Sequence, residues 1–142
     1  MSNPSIEPFE VRVYHEDTDF SGRVYHASYL RFLERGRTEL LRRLGYASQE
    51  IAGRLGVIFV VRRLRIEYLA PAVMDDLLLV ETEISELRGA SIEFLQRVSW
   101  GSRVLVRAKV LVASVCGGRP ARIPDDLRRR LQTLLEAPES SD

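Results

Sequence analysis

Residues 26–44 read HASYLRFLERGRTELLRRL, and their spacing decides the fold. Leu30, Leu33, Leu40, Leu41 and Leu44 fall along one face of a helix, while Arg31, Glu34, Arg35, Glu39, Arg42 and Arg43 fall mostly on the other. Glu39 and Arg43 form a correctly oriented i,i+4 pair, and Gly45 suits the left-handed turn that ends a helix. One long amphipathic helix needs an apolar surface to pack on. A weaker helical turn is expected at Ser48 to Gly53.

The chain beyond the helix supplies that surface. From Val57 to Val115 everything reads as strands. In the first, Ile58, Val60, Leu64, Ile66 and Tyr68 share a face, and Pro71 ends it. Asp75-Asp76 precedes a second strand with Leu78, Val80, Thr82 and Ile84 on one side. The third sets Ile92, Phe94, Val98 and Trp100 opposite Glu93, Arg97 and Ser99, which places Trp100 in the core or an interface. Gly101-Ser102 is a glycine-first hairpin turn. The fourth alternates Val104, Val106, Ala108, Val110 and Val112 with Arg103, Arg107 and Lys109. Upstream, Phe9, Val11, Val13 and His15 alternate with polar residues as a first strand, which makes His15 a core or interface histidine. Downstream, Pro124 and Asp125-Asp126 open a last helix with the stripe Leu127, Leu131 and Leu134.

Consecutive strands joined by short turns pair antiparallel, and an antiparallel sheet with one apolar face needs a cover. The expected fold is therefore α+β: a curved antiparallel sheet wrapped around the long helix at 26–44, as one domain over 1–142 with its core at about 9–136. Residues 1–7 and 137–142 are small and polar and are expected to fray. Apolar residues also occupy the second face of some strands (Val57, Phe59 and Val61; Leu105, Leu111 and Val115), which points to a homo-oligomer, a dimer or a tetramer.

Composition narrows the function classes. Over 142 residues, 45% are hydrophobic and 29% charged, and 21 basic against 20 acidic residues leave a formal charge of +1. Bulk charge gives no reason to expect a nucleic-acid or anionic-membrane partner. The single cysteine, Cys116, excludes an intramolecular disulfide and reads as a small buried hydrophobe beside the Gly117-Gly118 turn. Residues 1–10 lack the basic and apolar regions of a signal peptide, and no apolar run approaches a membrane span, so a cytoplasmic location is expected.

Chemistry concentrates in Tyr14-His15-Glu16-Asp17-Thr18-Asp19-Phe20-Ser21-Gly22-Arg23-Val24-Tyr25-His26, which joins the first strand to the long helix. The helix start carries a partial positive charge and unpaired N–H groups that can stabilise an oxyanion. A carboxylate held beside it can activate water or attack an acyl carbon. The same aspartates also suit turn or cap positions, and these residues alone leave both readings open. Glu16, Asp17 and Asp19 match no cation-binding loop, so no metal is expected and Asp17 reads as a turn-orienting group.

The run VYHEDTDFSGRVYHASYLRFLERGRTELLRRLGY resembles the signature of the YbgC-like acyl-CoA thioesterases, relatives of 4-hydroxybenzoyl-CoA thioesterase with the hotdog fold, and the likeness continues to about residue 125. The resemblance implies hydrolysis of acyl-CoA, or of acyl-ACP, without a cofactor, coenzyme A being part of the substrate. It makes Asp19 the catalytic general base or nucleophile and puts the oxyanion-binding N–H at about His26, whose side chain would orient the carbonyl or water. Tyr25 and Tyr29 match pocket-forming positions. Phe20-Ser21 replaces the small pair often found after the aspartate, so Phe20 would reshape the acyl site. Arg63 and Arg88, with Arg62 and Arg65 nearby, are candidates for the phosphates of coenzyme A. The family's link to the Tol–Pal envelope system implies a protein partner. A hotdog dehydratase and a non-enzymatic acyl-CoA-binding sensor or scaffold are the alternatives, and an intact Asp19 argues against both.

Overall fold

The computed structural model describes residues 8–136. Strand β1 (Phe9–Arg12) leads through a 3-10 turn at His15–Asp17 to helix α1 (His26–Arg43). A short helix α2 (Ser48–Glu50) runs into a wider helical turn at Ile51–Leu55. Strands β2 (Ile58–Tyr68), β3 (Leu77–Leu87), β4 (Ser91–Trp100), β5 (Arg103–Cys116) and β6 (Arg119–Pro120) follow, and α3 (Asp125–Glu136) comes last. All strand pairs are antiparallel in the order β1-β3-β4-β5-β2, with β6 on β5. The sheet curls over α1 as the hotdog resemblance implied.

The helix ends where the sequence places the stop. Leu44 caps α1, and Gly45 takes φ 96°, a conformation that costs a side-chain-bearing residue about 1 kcal/mol or more. Its apolar stripe is buried at Phe32, Leu33, Leu40 and Leu41, against Val80 of β3 and Phe94 of β4 in the same core. Gly36 sits at the closest approach of helix to sheet, facing Thr82, Val80 and Gln96. Beneath it Gln96 donates to the Leu33 carbonyl and to Thr82 Oγ1, each at 2.9 Å, and accepts from Arg37 at 3.0 Å. A buried amide so placed fixes the helix along and across the sheet. Gly101 has φ 59° at the first position of the β4–β5 turn, as the glycine-first hairpin requires.

Departures from the expected pattern trace to breaks in register. A bulge between Val61 and Arg63 turns Phe59 and Val61 to the face of Leu64, Ile66 and Tyr68, so Ile58 and Val60 leave it. Another bulge skips Leu105 of β5 between the Val98–Val106 and Ser99–Val104 pairs, and Leu105 is buried there; Trp100, the last residue of β4, is 51% exposed rather than packed within the chain. β1 stops at Arg12 because the Tyr14 N–H turns to the Asp17 carboxylate; His15 therefore lies in an exposed turn, not on the apolar side of a strand. Cys116 is exposed at the β5–β6 turn rather than buried. The expected fraying at 1–7 and 137–142 falls outside the described residues. Uncovered apolar side chains gather on β2, the outermost long strand, at Ile58, Val60, Val61 and Leu64.

Candidate active site

Asp17 organises the segment between β1 and α1. Its Oδ2 accepts from the Tyr14 N–H at 2.9 Å, and its carbonyl accepts from the Tyr25 N–H at 2.9 Å and the Ser28 hydroxyl at 3.1 Å. Arg31 reaches Oδ1 at 3.5 Å. Only 7% exposed, Asp17 fastens the start of the loop to the start of the helix. This is the turn-orienting role its type and position suggested.

Held by that anchor, residues 18–24 double back as a small hairpin. Thr18 bridges Val24, and the Asp19 N–H donates to the Arg23 carbonyl at 2.9 Å. Gly22 closes the tip at φ 81°, which leaves Phe20 fully exposed at the turn. The Asp19 side chain is solvent-accessible and asymmetrically bound. Its Oδ1 accepts from the Ser21 hydroxyl at 2.6 Å and the Ser21 N–H at 2.8 Å; Oδ2 has no hydrogen-bond partner among the described residues. The Ser21 hydroxyl, then the Ser21 N–H, hold the Asp19 carboxyl below its ordinary value, and Arg23 adds to the effect. Asp19 is thus a carboxylate at neutral pH with one oxygen fixed and one free.

The hairpin delivers the chain to the N-terminus of α1. Tyr25 is the cap residue, but its side chain makes no cap hydrogen bond, and the first turn holds no acidic residue. The Ser28 N–H is taken by the Tyr25 carbonyl at 2.8 Å, which leaves the first N–H groups, at His26 and Ala27, for a ligand. The segment after β2 braces this end from behind. Val24 donates to the Ala72 carbonyl at 2.9 Å, and the Ala72 N–H donates to the Tyr29 hydroxyl at 3.2 Å. Tyr29 is buried, and burial pushes its phenol up. Tyr68, at the end of β2, lays its ring 4.5 Å from the His26 ring and 5.7 Å from that of Tyr29.

Of the residues singled out from sequence, Asp19 and Phe20 lie in the hairpin that runs directly into Tyr25 and His26 at this end of α1. Tyr29 lies behind them as a buried strut. Arg63 and Arg88 meet elsewhere, with Arg62, Ser91, Glu86 and Glu93, around a shallow cavity of about 240 Å³ beside the β3–β4 turn. Arg63 is five residues from Tyr68 on β2, so this cavity lies roughly 17 Å along the strand from the helix start. Arg88 Nε donates to Glu86 at 2.6 Å, which raises the guanidinium above its ordinary value. A larger cavity, about 570 Å³, opens between α1 and β2 and is lined by Leu41, Ile51, Phe59 and Phe94, with Glu34 and Arg37 at its polar side. Among the described residues no three His, Cys, Asp or Glu side chains cluster closely enough to hold a metal ion.

Two contributors escaped the sequence reading. Ser21 carries a usable signal, because a serine two residues after an aspartate fits a local side-chain-to-backbone turn. Tyr68 carries none, since it meets His26 across 42 residues.

The thioesterase-like superfamily matches residues 13–131. Acyl-CoA thioesterase YbgC of Haemophilus influenzae is 48% identical over 128 residues, spanning 89% of this chain and 94% of that protein. A probable thioesterase from Bartonella henselae superposes with a TM-score of 0.80 at 44% identity, over 84% of this chain and 99% of that one. A Thermus thermophilus thioesterase, solved with coenzyme A and zinc, superposes with a TM-score of 0.81 at 26% identity, over 93% and 96% of the two chains.

Proposed function

Because this chain belongs to the thioesterase-like superfamily, and within it to the YbgC acyl-CoA thioesterases, we propose that it hydrolyses acyl-CoA to a free acid and coenzyme A with Asp19 at the centre of the reaction. The observation that carries the assignment is the Asp19 carboxylate, one oxygen fixed by Ser21 and the other free, in the hairpin that leads into an uncapped helix N-terminus. With the thioester carbonyl oxygen against the His26 and Ala27 N–H groups, negative charge formed at the carbon's oxygen is stabilised by dipoles already in place. Each such donor is worth about 3 kcal/mol in the transition state. Asp19 Oδ2 then takes a proton from an attacking water, or attacks the acyl carbon to give an anhydride that water opens. In either case the C–S bond breaks, and the thiolate of coenzyme A leaves and is protonated. The His26 imidazole orients the carbonyl or the water. Tyr25 and the exposed Phe20 flank the entry of the acyl group, and Tyr29 backs it.

Arg63 and Arg88, with Arg62, are assigned to the phosphates of coenzyme A, whose pantetheine arm separates them from the thioester. The apolar and unpaired edge of β2 is assigned to a second copy of the chain, since an exposed hydrophobic edge strand otherwise invites aggregation. We place the enzyme in the cytoplasm; no helix among the described residues is long and apolar enough to cross a membrane. An acyl carrier protein as alternative thiol donor and a partner in the Tol–Pal system rest on family resemblance.

Hydrolysis in ¹⁸O-labelled water tests the reaction class. The acid should carry solvent label and appear in equal amount with the thiol; acyl transfer without labelled acid would contradict the assignment. Under single turnover, label entering Asp19 marks direct attack, because it gets there only when water opens the anhydride at the Asp19 carbonyl.

Two smaller effects follow from the site. Ser21→Ala removes the largest cause of the lowered Asp19 pKa, so the acid limb of the kcat/KM profile should move to higher pH, toward the ordinary aspartate value of 3.8. The sign is fixed: the base is active when ionised, Ser21 extends its ionised range downward, and its loss shortens that range. An unmoved limb would detach Asp19 from it. Arg88→Ala should raise KM for acyl-CoA by about three- to tenfold, the size of one charge-assisted phosphate contact, with kcat little changed. The same variant should leave KM unaltered for a substrate truncated to acyl-pantetheine.

A further inference from the structure

We propose that Tyr68 is a positioning residue for this reaction, holding the His26 imidazole and the first turn of α1 from the end of β2; the proposal rests on the role given to His26 above. Three contacts place it there. The two rings lie 4.5 Å apart at 38°, the Tyr68 hydroxyl donates to the His26 carbonyl at 3.4 Å, and the Tyr29 ring stands 5.7 Å behind. Burial pushes the Tyr68 phenol up, so it keeps the proton it donates.

What makes the contact consequential is the isolation of His26. Among the described residues its imidazole has no hydrogen-bond or ion-pair partner, and the ring of Tyr68 is its one aromatic neighbour. A histidine at the first position of a helix, with nothing bonded to either ring nitrogen, is free to change rotamer. A group that must present a nitrogen to a carbonyl or water loses that geometry with a displacement of about 1 Å, which costs on the order of a hundredfold in rate. Tyr68 supplies the missing restraint, and it is itself restrained. Phe32 is fully buried and meets Tyr29 edge-on at 6.0 Å, Tyr29 is tied to the Ala72 N–H, and Tyr68 rests against Tyr29. The series Phe32, Tyr29, Tyr68, His26 thus runs from the rigid core to the reacting end of the helix. Tyr68 remains 40% exposed, so its ring adds little to core burial, and its loss should be felt in orientation more than in folding.

The test separates positioning from stability. Tyr68→Leu should lower kcat by about ten- to a hundredfold and change KM by less than about threefold, whereas Tyr68→Phe, which keeps the ring, should restore kcat to within about fivefold of wild type. Introduced into His26→Ala, the Tyr68→Leu change should lower kcat far less than it does in the wild type, because the imidazole it positions is gone. In the NMR spectrum, the His26 ring protons should move toward unstacked positions in Tyr68→Leu and stay in place in Tyr68→Phe. A wild-type kcat in folded Tyr68→Leu, an undiminished loss in the His26→Ala background, or unmoved His26 resonances would each overturn the proposal. A wild type that releases no thiol would instead sink the thioesterase reading, and the resonances would then decide the Tyr68–His26 contact by themselves.

Discussion

Asp19→Asn is expected to reduce acyl-CoA turnover by two to four orders of magnitude while leaving the protein folded. The size follows from what the carboxylate does: removing a positioned general base typically costs about 10²- to 10⁴-fold, and removing a nucleophile costs at least as much. The fold should survive for a local reason. Asp19 is solvent-accessible, and an asparagine in its place still offers an oxygen to the Ser21 N–H and hydroxyl, so the hairpin tip keeps its hydrogen bonds. The backbone bonds from Asp19 to Arg23 and from Gly22 to Asp19 do not involve the side chain. Steady-state thiol release and a melting curve on the same preparation check both halves. If kcat stays within a few-fold of wild type, Asp19 has no chemical role; if the melting transition falls with it, the loss of activity is a folding effect.

Gly36→Val should destabilise the fold by about 3 kcal/mol and lower Tm by roughly 10 °C. A Cβ at this position would stand 2.8 Å from both Thr82 Oγ1 and a Val80 methyl, and 3.0 Å from Gln96 Nε2. None of these can yield cheaply, because Val80 is core and Gln96 is held by the Leu33 carbonyl and Thr82. Pushing the helix outward would open the core along its length and break the buried amide's bonds, each worth about 1 kcal/mol or more when its partner is left unpaired. Better helix propensity than glycine offsets only a few tenths of this. Gly53→Ala is the matched control: nothing lies within 4 Å of its Cβ position, and a change within about 0.5 kcal/mol is expected. Thermal melts of the two variants decide; equal melting temperatures would mean that the helix can lift from the sheet without loss.

Local periodicity carried most of the fold. The 3.6-residue stripe of α1 from Leu33 on, the stop at Gly45, the alternation of β5 beyond Leu105 and the hairpin at Gly101 are all written within a few residues of where they act, and all four are present, whereas Leu30 is exposed. Register is different in kind, because it is set between strands. The bulges at Arg62 of β2 and Leu105 of β5 each shift one residue against the partner strand and reverse the parity beyond it. That is why Phe59 joins the inner face of β2 and Leu105 is buried. His15 is out of the core for a related reason: the alternation of residues 9–15 looks continuous, yet the Asp17 carboxylate captures the Tyr14 N–H and ends the strand early.

The same division holds at the site. Asp19, Tyr25 and His26 are close in sequence and come to one helix end, so a single ordered motif could point to all three. The Tyr68–His26 contact and the meeting of Arg63 with Arg88 depend on how β2 lies against its neighbours. Arginines scattered along strands look like solvated surface until the turn beside Arg88 and the bulged strand carrying Arg63 are folded together.

Thiol release by the purified wild-type protein from a panel of short, long and aromatic acyl-CoAs decides whether this chain hydrolyses thioesters. Repeated turnover on at least one class, with the acid formed in step with the thiol, is the predicted result, and the preferred class would name the substrate. Saturable binding of acyl-CoA with no thiol released from any member would contradict the account and leave a protein that binds thioesters without cleaving them.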